Sequence, residues 1–325
     1  MSQYRLEKVI NTDEWDRFIN STKHGTIFQY SAYLEALSAR YSCFYIYKNK
    51  ELRAAILLIE SNDGTNTMLD DFIIYNGIIF GTPTIGQNSS QILSEHFNIS
   101  EFIANTLPTL YKKIELSLTP QNCDIRPYLW FNYGTNLPQY KVSVRYTSFV
   151  DISDIASAKT LEDISLYNKA SKSRRQVIRY SKREGVITKE EFNLEIFLNL
   201  YSSTMSRQEL KISKEKIGTI KKILNNLNNH GLIKMYFSYT KNGSIGSAAC
   251  FAIDHIRAYY LFGASDSNLR DSHTGTAVLW DSFAKLNHYG VNEVDLEGVN
   301  SPDRGWFKLS FGGDIVPYYH IIKSE

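Results

Sequence analysis

The sequence predicts an α/β (α+β) protein of two similar domains, residues 1–150 and 151–325, each a mixed central sheet flanked by helices. Three observations predict it. The order helix, helix, hairpin, strand, helix, strand occurs twice. The two hairpins turn on similar chemistry, Lys48-Asn49-Lys50-Glu51 and Lys241-Asn242-Gly243. The strand after each hairpin closes on the same pair of residues, Phe80-Gly81 and Phe262-Gly263. A length of 325 residues suits two domains, and 43% hydrophobic residues, with 22 tyrosines, supply their cores.

In the first half, Thr12 is a plausible N-cap for a helix whose apolar face is Trp15, Phe18 and Ile19. A second helix faces inward through Tyr33, Leu34 and Leu37. Phe44–Tyr47 and Leu52–Ile59 alternate as a hairpin, and Ile73–Phe80 reads as the next strand. A helix follows through Phe102, Ile103, Leu107 and Leu110, with Pro108 expected to kink or restart it. Ile114–Leu118 is a further strand. In the second half the two helices carry Phe197, Leu200, Tyr201 and Met205, then Ile217, Ile220, Leu224 and Leu227. Met235–Tyr239 and Ile245–Ile253 form the hairpin, and Tyr259–Gly263 the next strand. A helix with Leu279, Phe283 and Leu286 on one face ends at Gly290.

Composition excludes several classes. The net charge is +2, so attraction to phosphate must come from a local patch rather than the whole molecule. The apolar runs are too short for a membrane span, and the first residues lack the apolar core of a secretory signal. Cys43, Cys123 and Cys250 are odd in number and form no CxxC pair, and the seven histidines show no ligand spacing, so no metal is expected. The expectation is a reduced, cytoplasmic protein.

Four stretches could carry chemistry. In Gly305-Trp306-Phe307-Lys308-Leu309-Ser310-Phe311-Gly312-Gly313, a lysine sits among aromatic anchors, with glycines allowing tight backbone geometry. Lys308 then has a buried stem and a tip that must find water, a partner or a substrate; the plainer reading is a surface lysine at the start of a terminal strand. Asp295 and Glu297 alternate on the preceding strand and so share a face, where one could serve as general base or both could pair with Arg304 and Lys308. Residues 168–183 hold seven basic side chains and no acid; as a helix, Arg175, Arg179 and Lys182 or Arg183 form a stripe suited to phosphate, or simply to solvent. Aromatics do not interleave with it, which argues against DNA or other long nucleic acid. Gly275-Thr276-Ala277 opens the Leu279 helix as a small-residue loop able to hold a pyrophosphate, with Thr274 as the alternative cap.

Taken together, Trp15 with Gly25-Thr26-Ile27-Phe28-Gln29, Arg175-x-x-Ile178-Arg179 with Gly185-Val186, Ala248-Ala249 with Tyr259-Tyr260-Leu261-Phe262-Gly263-Ala264, and Gly305-x-Phe307-Lys308-x-x-Phe311-Gly312-Gly313 span nearly the whole chain. On these residues the chain resembles the Fem-type aminoacyltransferases and related acyltransferases built from two GNAT-like domains. The resemblance implies transfer of an acyl or aminoacyl group to an amine of a cell-envelope precursor such as a peptidoglycan intermediate. It implies no tightly bound cofactor, a donor that is aminoacyl-tRNA or acyl-CoA, and an active site in the second domain. Phe307-Lys308 falls on the family's Phe-Lys pair, whose lysine steadies the developing oxyanion; Tyr260 would contact substrate. Two departures leave the donor open. No long charged heptad stretch stands for the tRNA-binding helical arm, and Ser272 stands where a CoA-binding loop has glutamine or arginine. An acyl-CoA-dependent N-acyltransferase of a nucleotide-linked amino sugar, and a non-catalytic binder of a nucleotide-linked ligand, are the alternatives.

Overall fold

The computed structural model describes residues 3–207 and 212–324. These form two compact units, Met1–Arg145 with Pro317–Glu325, and Tyr146–Val316. In chain order the first half gives β1 (Tyr4–Lys8), α1 (Thr12–Asn20), α2 (Ser31–Leu34), β2 (Arg40–Lys48), β3 (Glu51–Glu60), β4 (Gly77–Phe80), α3 (Ser89–Leu110), β5 (Ile114–Ser117), α4 (Arg126–Leu129) and β6 (Lys141–Asp151). After α5 (Ser165–Lys169) and α6 (Lys172–Arg183), the second half gives β7 (Ile187–Glu190), α7 (Leu194–Arg207), α8 (Lys214–Asn229), β8 (Ile233–Tyr239), β9 (Ile245–Ile253), β10 (Ala258–Ser265), α9 (Thr274–His288), β11 (Glu293–Asp295), α10 (Pro302–Leu309) and β12 (Asp314–Lys323). From β1 and from β7 the order of elements is the same, so the repeat read from the turns extends to a leading strand and a closing strand.

In the first unit β1 to β4 form an antiparallel sheet in sequence order. Its core joins Ile46, Ile56, Ile78, Ile103, Leu107 and Tyr128, all essentially buried. Within this unit, residues His320–Lys323 of β12 pair antiparallel with β5. In the second unit β7 to β10 are antiparallel neighbours, β11 lies parallel to β10, and Phe149–Asp151 of β6 pair antiparallel with β11. Its core gathers Ile178, Phe251, Leu279, Phe283, Val294 and Phe311.

Several local expectations are corrected. The α1 cap is Asn11, whose side-chain oxygen accepts from the amides of Asp13 (2.9 Å) and Glu14 (3.2 Å); an asparagine with Thr12 as first helical residue serves the same end. The strand expected at Ile73–Phe80 is ordered as β only from Gly77. Pro108 does not divide α3. Proline there cannot donate to the carbonyl of Ala104, and the Tyr140 hydroxyl donates to it instead at 3.0 Å, so the last turn continues. The cap of α9 is His273, in the left-handed region with no side-chain bond to the helix, rather than Thr274.

Candidate active site

The site grows out of the place where β10 and β11 part. Their parallel pairing covers only Ala258 with Val294 and Tyr259 with Asp295, and β10 then runs on to Ser265. A bulge between Tyr260 and Phe262 shifts its register with β9, leaving Leu261 as the extra residue. On the side that β11 has left lies a cavity of about 490 Å³. Its walls are β10, the last two turns of α7, the first turn of α9 with Gly275, and α10 with Phe307 and Lys308.

The backbone beyond β11 explains how Lys308 is held. Asp295, fully buried, accepts from the Thr147 hydroxyl and, at 2.7 Å, from the amide of Glu297. That bond turns the chain sharply: Glu297 adopts a left-handed conformation with φ 55°. Glu297 therefore lies outside the strand, and the shared face expected for Asp295 and Glu297 is replaced by a carboxylate-pinned turn. Asn300 ties the far end of this loop to the backbone of Tyr146 through bonds of 2.8 and 3.0 Å. The loop packs directly on α10, where a Cβ on Gly305 would lie 2.6 Å from the carbonyl oxygen of Val299. Lys308 is thus a helical residue, not the start of a strand, and one turn beyond Gly305 its Nζ faces the carbonyls of Glu297 (3.4 Å) and Gly298 (3.5 Å). The same Nζ is 5.5 Å from the centre of the Tyr260 ring. Of the aromatic anchors, Phe311 is buried and Phe307 half-buried, whereas Trp306 is 75% exposed because it sits on the outer face of α10.

Burial sets the electrostatics. Lys308 is half-buried as a residue, but its ammonium lies in the desolvated part, which lowers its pKa; Glu297 and Asp295 oppose that shift and Arg304 adds to it. Glu297 is pushed well up by burial, with the charge of Asp295 adding and Lys308 opposing, and its Oε1 has no hydrogen-bond partner among the described residues. Tyr260 is likewise raised by burial. A desolvated ammonium at a cavity wall stabilises negative charge that develops beside it. Among the described residues no carboxylate oxygen lies within ion-pair distance of Lys308, whose Nζ instead faces the carbonyls of Glu297 and Gly298.

No family model and no curated protein matches the chain. Solved structures do. A structure described as FemX superposes with TM-score 0.63 at 13% identity, covering 96% of each chain. The structure of L-PGS from Bacillus licheniformis gives 0.56 at 12%, covering 96% of this chain and 91% of that one. A tandem GNAT protein from the clavulanic acid biosynthesis pathway gives 0.54 at 9%, covering 99% and 98%. The chain has the Fem-like, tandem GNAT fold. The resemblance read from its motifs is borne out at the level of fold.

On this fold, Lys308, Phe307, Tyr260 and Gly275 meet at one cavity, with Asp295 and Glu297 packed behind the lysine. Thr276 and Ala277 are buried, and their amides already pair with the carbonyl of His273 at 3.2 and 3.1 Å. Arg175 and Arg179 both settle on Tyr167, one 6.0 Å over its ring and the other donating to its hydroxyl at 2.6 Å, and neither is on the cavity wall. Among the described residues, the charge at the wall comes instead from Arg207, Arg270 and Arg304, with Lys308, against the acid Asp303. Sequence reading missed Arg207 and Arg270 because each stands alone in the sequence; the fold alone gathers them. It also missed Arg174, on the inward face of α6 with Ile178 and Ser181, where i, i+4, i+7 spacing was the available signal. Among the described residues no helix is long and apolar enough to cross a membrane, and no group of three His, Cys, Asp or Glu is placed to hold a metal.

Proposed function

We propose that the chain is an acyltransferase that moves an acyl or aminoacyl group from an activated ester or thioester to an amine of a cell-envelope precursor. The observation that carries this is the placement of Lys308. Its ammonium is held by two carbonyls, in a desolvated position, on the wall of a cavity at the fork of β10 and β11. When an amine attacks the acyl carbon, the carbonyl oxygen becomes an oxyanion, and Lys308 lowers that barrier without prior reorganisation. Phe307 shapes the wall, and as the tetrahedral intermediate collapses the C–O or C–S bond of the donor breaks, the alcohol or thiol leaving with the proton that the attacking amine gives up. The open edge of β10 offers amide and carbonyl groups to an extended, amide-bearing substrate, as an unpaired strand edge does. Arg207, Arg270 and Arg304 suit phosphate, which both aminoacyl-tRNA and acyl-CoA carry. A cavity of about 490 Å³ takes the reacting groups of donor and acceptor and leaves the nucleotide outside.

Thermal-shift binding of acetyl-CoA, charged tRNA, UDP-linked muropeptide and nucleotide amino sugars identifies the donor and acceptor pair. Turnover with that pair is then compared in wild type and Lys308→Ala. The variant is expected to lose at least about a hundredfold in kcat, with an unchanged far-ultraviolet spectrum. Full activity in Lys308→Ala would overturn the reading.

A further inference from the structure

Arg174 is the least expected charge in the second unit. Its guanidinium is desolvated enough to lower its pKa to about 10, and no carboxylate answers it among the described residues. A partly buried, desolvated charge without a counter-ion persists only where its hydrogen bonds and packing offset the desolvation cost. Here Nε donates to the Ser310 hydroxyl at 2.9 Å, one terminal nitrogen donates to the Thr276 hydroxyl, and the guanidinium lies 4.6 Å from the ring centre of Phe307 and 4.5 Å from that of Phe311. The Ser310 hydroxyl passes the contact on, donating to the carbonyl of Phe307 at 2.6 Å, while the carbonyl of Ser310 accepts from the amide of Ser171, just before α6. The four side chains that Arg174 touches come from two places: the first turn of α9, and the end of α10 with the residues just beyond it. Thr276 adjoins Gly275, and Phe307 adjoins Lys308. Both neighbours are on the cavity wall.

We propose that Arg174 is a positioning residue, whose planar fork fixes the start of α9 against the end of α10 and so holds Lys308 at the distance from the Gly275 wall that acyl transfer needs. This rests on the acyl-transfer reading for its consequence, but the clamp itself is testable without turnover. Lysine cannot replace it, because an ammonium is a point charge and cannot reach two hydroxyls while stacking on two rings. Small displacements of a reacting group are costly, by as much as about a hundredfold for about 1 Å.

The test compares wild type with Arg174→Lys, Ser310→Ala and Thr276→Val by steady-state kinetics. In parallel, the rate at which acetic anhydride modifies Lys308, relative to exposed Lys241, is followed by mass spectrometry. Arg174→Lys is expected to lower kcat on the order of tenfold or more, with KM moving by less than about threefold, and to speed Lys308 modification. Ser310→Ala and Thr276→Val keep the charge and remove one arm each, so both should shift the same two readouts by smaller factors. Wild-type kcat and wild-type Lys308 reactivity in Arg174→Lys would overturn the proposal. So would a loss confined to KM, which would make Arg174 a substrate contact. If Arg174→Lys fails to fold, the two single-arm variants decide, and unchanged values in both reject the clamp. If wild type transfers no acyl group from any donor, the acyl-transfer reading fails, whereas the labelling rates still report whether Arg174 holds Lys308.

Discussion

In the first unit the place between β4 and β5 is filled, and in the second the corresponding place between β10 and β11 is open. The filling is specific. Asn122 donates to the carbonyl of Ile78 at 3.0 Å, a Cβ on Gly77 would lie 2.9 Å from Leu118, and the short helix α4 drives Tyr128 into the core, 5.3 Å from the ring of Tyr140. In the second unit the helix at the same point of the order is α10, and it brings Lys308 to a cavity instead of a tyrosine to a core. One arrangement of strands and helices thus serves packing in one copy and chemistry in the other. The difference rests on a few side chains at the fork.

Substitutions at the two equivalent helices test that contrast most strongly. Tyr128→Ala removes a fully buried aromatic ring and should destabilise by about 3–5 kcal/mol in denaturant unfolding. Lys308→Met should leave stability within about 1 kcal/mol of wild type or raise it, since it removes a desolvated ammonium and keeps the stem, while turnover is lost. Comparable destabilisation from both would show that α10 is a structural plug like α4.

The contrast was only partly legible in the sequence. Hairpin turns, strand alternation and the two Phe-Gly closures depend on neighbours along the chain, so the duplication and element order could be read directly. The fork could not. Whether Pro108 breaks α3 depends on Tyr140, 32 positions further on, offering a hydroxyl to Ala104. Whether Glu297 continues a strand depends on Asp295 accepting its amide, a bond that alternation along the strand does not reveal. The basic helix showed the same limit: the i, i+4 stripe of charge singled out Arg175 and Arg179, whereas the contacts of Arg174 with Thr276 and Ser310 exist only once α9 and α10 are in place.

Buried titratable groups sharpen the comparison through pH. In the first unit His24 packs edge-on against Phe80 and His96, and burial, with His96 adding, lowers its pKa to about 4. Its folded pKa lies below the unfolded value of about 6.5, so its contribution is present above that pH and is lost as pH falls toward 4, by at most about 3 kcal/mol. In the second unit Glu297 is raised, so its contribution is full below about pH 4.3 and declines as pH rises through the folded pKa. His24→Leu should therefore gain on wild type toward acid, and Glu297→Gln should gain on wild type toward neutral and alkaline pH. Melting temperatures recorded from pH 4 to 9 check both signs; parallel curves for either pair would remove that group from the account.

The smallest expected effect lies in the core of the first unit, at Tyr128. The Tyr128 hydroxyl is buried with no hydrogen-bond partner among the described residues, and burial raises its pKa. A polar group desolvated without compensation opposes folding, so Tyr128→Phe, which keeps the ring, should be neutral or stabilising by up to about 1 kcal/mol. Read together with the loss expected for Tyr128→Ala, this separates the ring from its hydroxyl. If Tyr128→Phe is clearly destabilising, the hydroxyl has a partner that matters, and the packing of α4 on the first unit's core is polar as well as steric. The first unit would then retain part of the polar character that the second devotes to its cavity.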